Sequence, residues 1–79
     1  MKIETITTIL SFFDDCIQSN KIKIRIYEKE LEMVKRGSIK DKETRYKDKI
    51  KEREEIIKVL EERRKDFLSN VNNKELKED

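Results

Sequence analysis

Residues 3–34 read IETITTILSFFDDCIQSNKIKIRIYEKELEMV, and this stretch decides the fold. Apolar side chains recur along it in steps of three and four, the spacing that places them on one face of a helix. This ladder fills heptad positions a and d, and its only non-aromatic polar member is Asn20. Its members are Ile3, Ile6, Leu10, Phe13, Ile17, Asn20, Ile24, Tyr27, Leu31 and Val34. A seam of this length predicts a helix over about residues 2–36 that packs against a partner helix.

The rest of the chain supplies a partner. Proline is absent and Gly37 is the only glycine, so the pattern predicts a turn at residues 37–38 and a second helix over about residues 39–71. In this turn we expect Gly37 to adopt the left-handed conformation and Ser38 to cap the second helix. The second helix has its own ladder of Glu43, Tyr46, Ile50, Arg53, Ile57, Leu60, Arg64, Phe67 and Val71.

Folding the chain at Gly37 tests the two ladders against each other. The numbers of facing residues add to 73 or 74 throughout, as they must in an antiparallel hairpin. Phe13 then faces Leu60, Tyr27 faces Tyr46, and Asn20 meets Arg53 in a polar layer of the type that fixes register. The fold class is therefore all-α, an antiparallel two-helix coiled-coil hairpin over residues 1–71, followed by a frayed charged tail at 72–79.

Two alternatives remain open within the first helix. Lys21 to Tyr27 alternates basic and β-branched residues with a period of two, which is typical of an edge strand. No second strand is available to pair with it, and this favours the helix. The other alternative is a helix that breaks or kinks near Ser19 and Asn20, because these residue types can cap a new helix start.

A hairpin of this composition has little apolar material with which to form a core. Hydrophobic residues make up 34% of the chain and charged residues 48%, so we expect association to supplement the fold. An apolar patch beside the seam offers a surface for this. Its members are Ile9, Phe12, Cys16, Ile56 and Val59. The pattern predicts a homodimer that forms a four-helix bundle, and the alternative use of the patch is to bind a different protein.

A second candidate surface is basic. Residues 20–50 contain eleven basic and six acidic side chains, so a regulator that binds nucleic-acid phosphates is the alternative function. The interleaved acids and the absence of a groove-reading motif favour a solvated helical face instead. The candidate contacts are Lys21, Lys23, Arg25, Lys40, Lys42, Arg45, Lys47 and Lys49.

No pattern in the sequence indicates catalysis. Asp14, Asp15, Glu61 and Glu62 could gather four carboxylates for a cation or for acid–base chemistry, but nothing in the sequence forms a pocket around them. We expect a protein that is not an enzyme and has no cofactor, metal or small-molecule substrate. The chain has one cysteine and no apolar run of membrane-spanning length, so we expect a cytoplasmic protein with a buried thiol that does not bind membranes.

In architecture, though in no motif, the predicted hairpin resembles the small plasmid-encoded RNA-binding hairpin dimers. That likeness transfers no residues. Abundant lysine, isoleucine, glutamate and asparagine would suit an A/T-rich phage or plasmid genome. The sequence as a whole predicts a protein–protein interaction module that acts as a regulator, inhibitor or adaptor.

Overall fold

The computed structural model describes residues 2–37 and 40–78, with side chains described up to residue 72. It consists of two α-helices, α1 (Ile3–Arg36) and α2 (Lys40–Glu78). The helices pack against each other along an elongated body of 62 × 17 × 10 Å. Contacts that join Tyr27 to Tyr46 near the turn and Asp14 to Arg64 further away show that the helices are antiparallel. The predicted all-α hairpin is confirmed.

The segment from Lys21 to Tyr27 is part of the continuous helix α1. The edge-strand alternative is therefore wrong, as is a break near Ser19 and Asn20. The heptad phase explains the result, because Ile24 continues the seam at a helical spacing while Ile22 and Ile26 lie outside it. A strand would also have left its backbone groups without partners.

Gly37 ends α1 in a way that the sequence did not predict. Its backbone angles of φ −83° and ψ −3° lie in the right-handed helical region, not the left-handed one. Its amide donates a hydrogen bond to the carbonyl of Met33 at 3.2 Å, so Gly37 extends the last helical turn. Lys35 and Arg36 lie in that turn, where cations suit the helix dipole. The predicted cap at Ser38 lies outside the described residues.

Helix α2 continues to Glu78, whereas the sequence placed its end at residue 71 and a frayed tail at 72–79. The tail was expected because serine and asparagine, which are frequent in residues 69–73, are weak helix formers. Their unfavourable propensity amounts to only about 0.7 kcal/mol per residue or less. Neither proline nor glycine follows to stop the helix, so the backbone remains helical beyond residue 71.

The predicted seam is the interface between the helices. All its members except Ile3, at the open end, are buried or partly buried. Only Ile17 and Val71 approach complete burial, each with 8% of its surface exposed. Two helices therefore cover the seam incompletely, because each side chain at positions a and d has neighbours from a single facing helix.

Aromatic pairs report the register directly. The rings of Tyr27 and Tyr46 have centroids 6.3 Å apart, as the predicted pairing requires. The Phe13 ring lies 6.3 Å from that of Phe67, one heptad beyond the predicted partner Leu60. The two phenylalanine rings thus meet between their levels along the seam, a contact that a pairing of residue numbers does not capture. Tilted aromatic pairs at this separation add about 0.5–1.5 kcal/mol beyond their buried area.

Candidate interaction surface

The polar layer forms where the two ladders place it. The Arg53 Nη1 donates a hydrogen bond to Asn20 Oδ1 at 3.2 Å across the hairpin. Asn20 Nδ2 in turn donates to the backbone carbonyl of Cys16 at 2.8 Å, which fixes the orientation of the amide. Any shift of register would separate Arg53 from this acceptor and leave polar groups inside the seam. This layer thus aligns every other position of the hairpin, including the surface residues considered below.

Asp14 has a basic partner. Arg64 Nε donates to Asp14 Oδ1 at 2.9 Å and links α1 to α2 toward the open end of the hairpin. Asp14 therefore makes an ion pair with a seam residue instead of joining Asp15, Glu61 and Glu62 in a carboxylate cluster. Within residues 2–37 and 40–72, no three acidic, histidine or cysteine side chains converge as metal ligands would.

The predicted apolar patch divides into a covered half and an exposed half. Ile9, Cys16 and Ile56 are partly buried, while Phe12 has 66% of its surface exposed and Val59 is also exposed. Ile56 and Val59 line a shallow groove of about 300 Å³ on α2. The charged rim of this groove consists of Glu52, Glu55 and Arg63.

Sequence reasoning missed a second exposed group on α1. Ile22 and Ile26 each have 48% of their surface exposed, and Met33 is more exposed still. Phe12, Ser19, Ile26 and Met33 follow one another at intervals of seven, so they share one face of the helix. The signal was present in the alternating isoleucines, but their period of two was assessed only as a strand pattern. In a helix, that alternation sends Ile24 into the seam and its two neighbours to the surface.

Together these residues form one side of the hairpin, which we call the apolar flank. In an antiparallel pair, heptad positions g face each other and positions c lie just outside them, so the members at these positions fall on the same side of the hairpin. Ile22 is at position f, on the outer face of α1, and lines the same groove as Ile26. The members are Ile9, Phe12, Cys16, Ile22, Ile26, Met33, Ile56 and Val59. The opposite side carries heptad positions b and e, and we call it the polar flank. Among the described side chains it has only one apolar member, the partly buried Leu68.

The eight predicted nucleic-acid contacts do not share one face. Lys21, Arg25, Lys40 and Lys47 occupy positions of the polar flank, whereas the other four lie at positions c and g on the other side. Of these, Lys42, Arg45 and Lys49 line a shallow cavity of about 150 Å³ together with Tyr46.

The tyrosine pair beside this cavity is covered by a cation. Lys49 Nζ lies 5.5 Å from the ring centroid of Tyr27 and 5.4 Å from that of Tyr46, within range of a cation–π interaction. A hydrogen bond to the Glu30 carboxylate, with smaller effects of burial and charge, raises the pKa of the Tyr46 hydroxyl above 10.0. Both rings are therefore engaged within the hairpin, and their faces are less available for stacking on bases.

Neither of the described helices has a stretch apolar enough, over a sufficient length, to cross a lipid bilayer. The chain matches no protein-family model, no curated protein sequence and no solved structure.

Proposed function

We propose that this protein is a small, non-enzymatic protein–protein interaction module that acts through its apolar flank, and that it works as a homodimer of hairpins forming a four-helix bundle. In this proposal it serves as a regulator, inhibitor or adaptor. The single free cysteine, Cys16, is compatible with the reducing environment of the cytoplasm, where we place the protein.

The observation that carries the proposal is the difference between the two flanks. Six large apolar side chains are exposed in the described part of the chain, and five of them belong to the apolar flank. The sixth, Ile3, lies at the end of the seam. Exposed apolar residues scattered singly are normal on a protein surface, but a set concentrated on one side of the molecule is typical of an interaction surface.

The total surface area gives independent support. The chain exposes 6642 Å² for a mass of 9.6 kDa. The scaling of surface with mass gives roughly 5,100 Å² for a compact monomer of this size, or roughly 1,500 Å² less. A standard stable interface removes about 800 Å² from each partner. A hairpin with an incompletely covered seam therefore has enough surplus surface for one standard interface.

The test compares two neighbouring substitutions on α1. Phe12→Glu places a charge on the apolar flank, and the control Ser11→Glu places the same charge one residue away on the polar flank. Light scattering over a concentration series should give twice the monomer mass for the wild type and the control, and a monomer for Phe12→Glu. Circular dichroism should show that all three are helical. A wild type that stays monomeric at every concentration, with the mass unaffected by Phe12→Glu, would contradict the proposal.

The cavity lined by Lys42, Arg45, Tyr46 and Lys49 supports a second candidate function, binding of nucleic-acid phosphates. Three basic side chains on successive turns of one helix can contact adjacent phosphates. We would titrate DNA and RNA over a range of salt concentrations and compare Arg45→Gln with Arg25→Gln, its counterpart on the polar flank. Binding that weakens with salt and is reduced by Arg45→Gln alone would support this candidate, and binding insensitive to salt would eliminate it.

A further inference from the structure

The middle of α1 has a groove of about 480 Å³, and the proposed function does not yet say what occupies it. Ser19 lies near its centre, Ile22 and Ile26 supply its apolar lining, and Asp15 and Lys23 provide its charges. All its lining residues belong to one continuous helix, so they follow one another in a fixed order along its axis. The order of chemical types along that axis indicates what binds there.

Residues at equal distances before and after Ser19 match each other: apolar residues correspond to apolar residues, and a negative charge corresponds to a positive one. At three residues on either side lie Cys16 and Ile22, both apolar, and at four residues lie Asp15 and Lys23, which have opposite charges. At seven residues lie Phe12 and Ile26, both large and apolar. Ser19 itself is small, which allows two helices to approach closely at that point. A surface arranged in this way is complementary to an antiparallel copy of itself.

We propose that the groove on α1 binds α1 of a second copy of this chain, antiparallel, with the twofold axis of the dimer passing beside Ser19. This inference rests on the proposed function and deepens it by naming the partner surface and the register. Phe12 of each copy lies level with Ile26 of the other, and the two Ser19 side chains face each other. Asp15 and Cys16 of each copy lie level with Lys23 and Ile22 of the other, so each charge has an opposite charge nearby.

Other antiparallel registers lose this complementarity. A shift of one heptad toward the turn, about 10 Å along the helix, brings Asp15 level with Glu30 and Ser19 level with Ile26. A shift of one heptad in the other direction brings Phe12 level with Ser19. The first places like charges together, and the second removes the large apolar partner of Phe12. The register centred on Ser19 alone among these three satisfies both requirements.

Disulfide formation measures the register directly. In a Cys16→Ala background, Ser19→Cys places two thiols at the twofold axis, where helix backbones can approach to the Cα separation below about 7 Å that a disulfide needs. The control Ser11→Cys puts a thiol on the polar flank of the same helix. Mild oxidation should convert the first variant, and not the second, into a covalent dimer on a non-reducing gel.

Charge reversal provides a second measurement that does not depend on oxidation. Asp15→Lys and Lys23→Asp should each raise the dimer dissociation constant by about threefold or more, since exposed ion pairs have modest strength. The double variant should restore the wild-type value, because the pairs then form with reversed polarity.

The outcomes separate this inference from the function on which it rests. Dimers of wild-type mass that fail to form the Ser19→Cys disulfide, or in which the two charge reversals are simply additive, would overturn the register and leave the proposed dimer intact. A disulfide through the native Cys16 would likewise show a different register, since its two copies lie about 9 Å apart along the axis in the proposed one. A chain that is monomeric in all variants would overturn both.

Discussion

The two flanks of this hairpin share the same two helices and the same seam, yet they differ in almost every surface property. The apolar flank exposes Phe12, Ile26 and Val59, and the two largest grooves described here lie on it or extend onto it. On the polar flank, charged side chains predominate and Asp14 bridges to Arg64. The seam alone is sufficient for the two helices to pack into a hairpin. The packing therefore does not explain why the two flanks differ in apolar exposure. This difference is the basis on which we propose the apolar flank as the side used for association.

The flanks also differ in how their charges are satisfied. Lys47 and Glu32 of the polar flank both have partners in their own helices: Lys47 pairs with Glu43 at 3.3 Å, and Glu32 pairs with Arg36, on the outer face of α1, at 3.2 Å. Pairs at a spacing of four residues need no other chain and contribute only a few tenths of a kcal/mol, about 0.2–0.5 each. Asp15, on the outer face of α1, and Lys23, on the apolar flank, instead border the groove around Ser19, where a second copy can supply their opposite charges.

The largest predicted effect distinguishes the shared seam from the apolar flank. Ile17→Ala should lower the free energy of unfolding by about 2–4 kcal/mol, because Ile17 is almost fully buried and its loss leaves a cavity. Ile22→Ala removes the same atoms from the surface of one hairpin. Its destabilisation should be smaller and should depend on protein concentration, since Ile22 is covered only in the proposed dimer. Urea denaturation at several protein concentrations measures both. Equal losses from the two variants would mean that seam and flank do not differ.

A smaller effect tests the polar layer. Asn20→Leu should raise the free energy of unfolding by about 1 kcal/mol, because a partly buried leucine replaces an amide in an apolar seam. Arg53 is only partly buried and can redirect its donors to water. Register should become less well defined, so the variant should give more than one oligomeric species in light scattering. A lower melting temperature would show that the hydrogen bond between Asn20 and Arg53 stabilises more than it specifies.

Two adjacent aspartates sharpen the contrast between the flanks. Asp14→Ala removes the ion pair with Arg64 and should cost about 0.2–1 kcal/mol of hairpin stability, less at high salt, while leaving the dimer affinity unchanged. Asp15→Ala should instead leave the hairpin stability unchanged and weaken the dimer. Thermal denaturation and sedimentation equilibrium separate these two quantities. The contrast fails if both variants change the same one.

The sequence was sufficient for the architecture because the seam obeys a strict spacing that a pairing of residue numbers can check. It placed Tyr27 beside Tyr46 and Asn20 beside Arg53, and the structure confirms both contacts. It was wrong about the backbone of Gly37 and placed the end of α2 too early, because propensities of this size do not determine a conformation. The contact between the Phe13 and Phe67 rings depends on the directions of both side chains, which spacing cannot give.

The candidate surface was predicted less completely than the fold. Phe12 and Val59 were identified because they lie beside the seam in the heptad, and the structure exposes both. Ile22 and Ile26 were overlooked since their alternation with Ile24 was interpreted as a possible strand. Once the helix is established, the same three isoleucines divide between seam and surface. The exposure of Ile22 and Ile26 around Ser19 then follows from the heptad phase, although the extent of the groove requires the three-dimensional structure.

The smallest predicted effect concerns the turn-proximal end of the hairpin, where Tyr46 lies against Glu30. The raised pKa of Tyr46 means that the folded hairpin favours the neutral phenol, so this contribution to stability is fully present below pH 10.0 and is lost as the pH rises through the raised value. Glu30→Gln removes the carboxylate whose hydrogen bond with the Tyr46 hydroxyl favours the neutral phenol. The pKa of Tyr46 should therefore fall toward its ordinary value. Ultraviolet titration of tyrosinate absorbance, with Tyr27→Phe to isolate the signal of Tyr46, measures this shift. The control is Glu32→Gln, two residues away on the polar flank, which should leave the pKa of Tyr46 unchanged. If Glu32→Gln lowered the pKa of Tyr46 as much as Glu30→Gln does, the shift would reflect the general acidity of the helix instead of a specific contact.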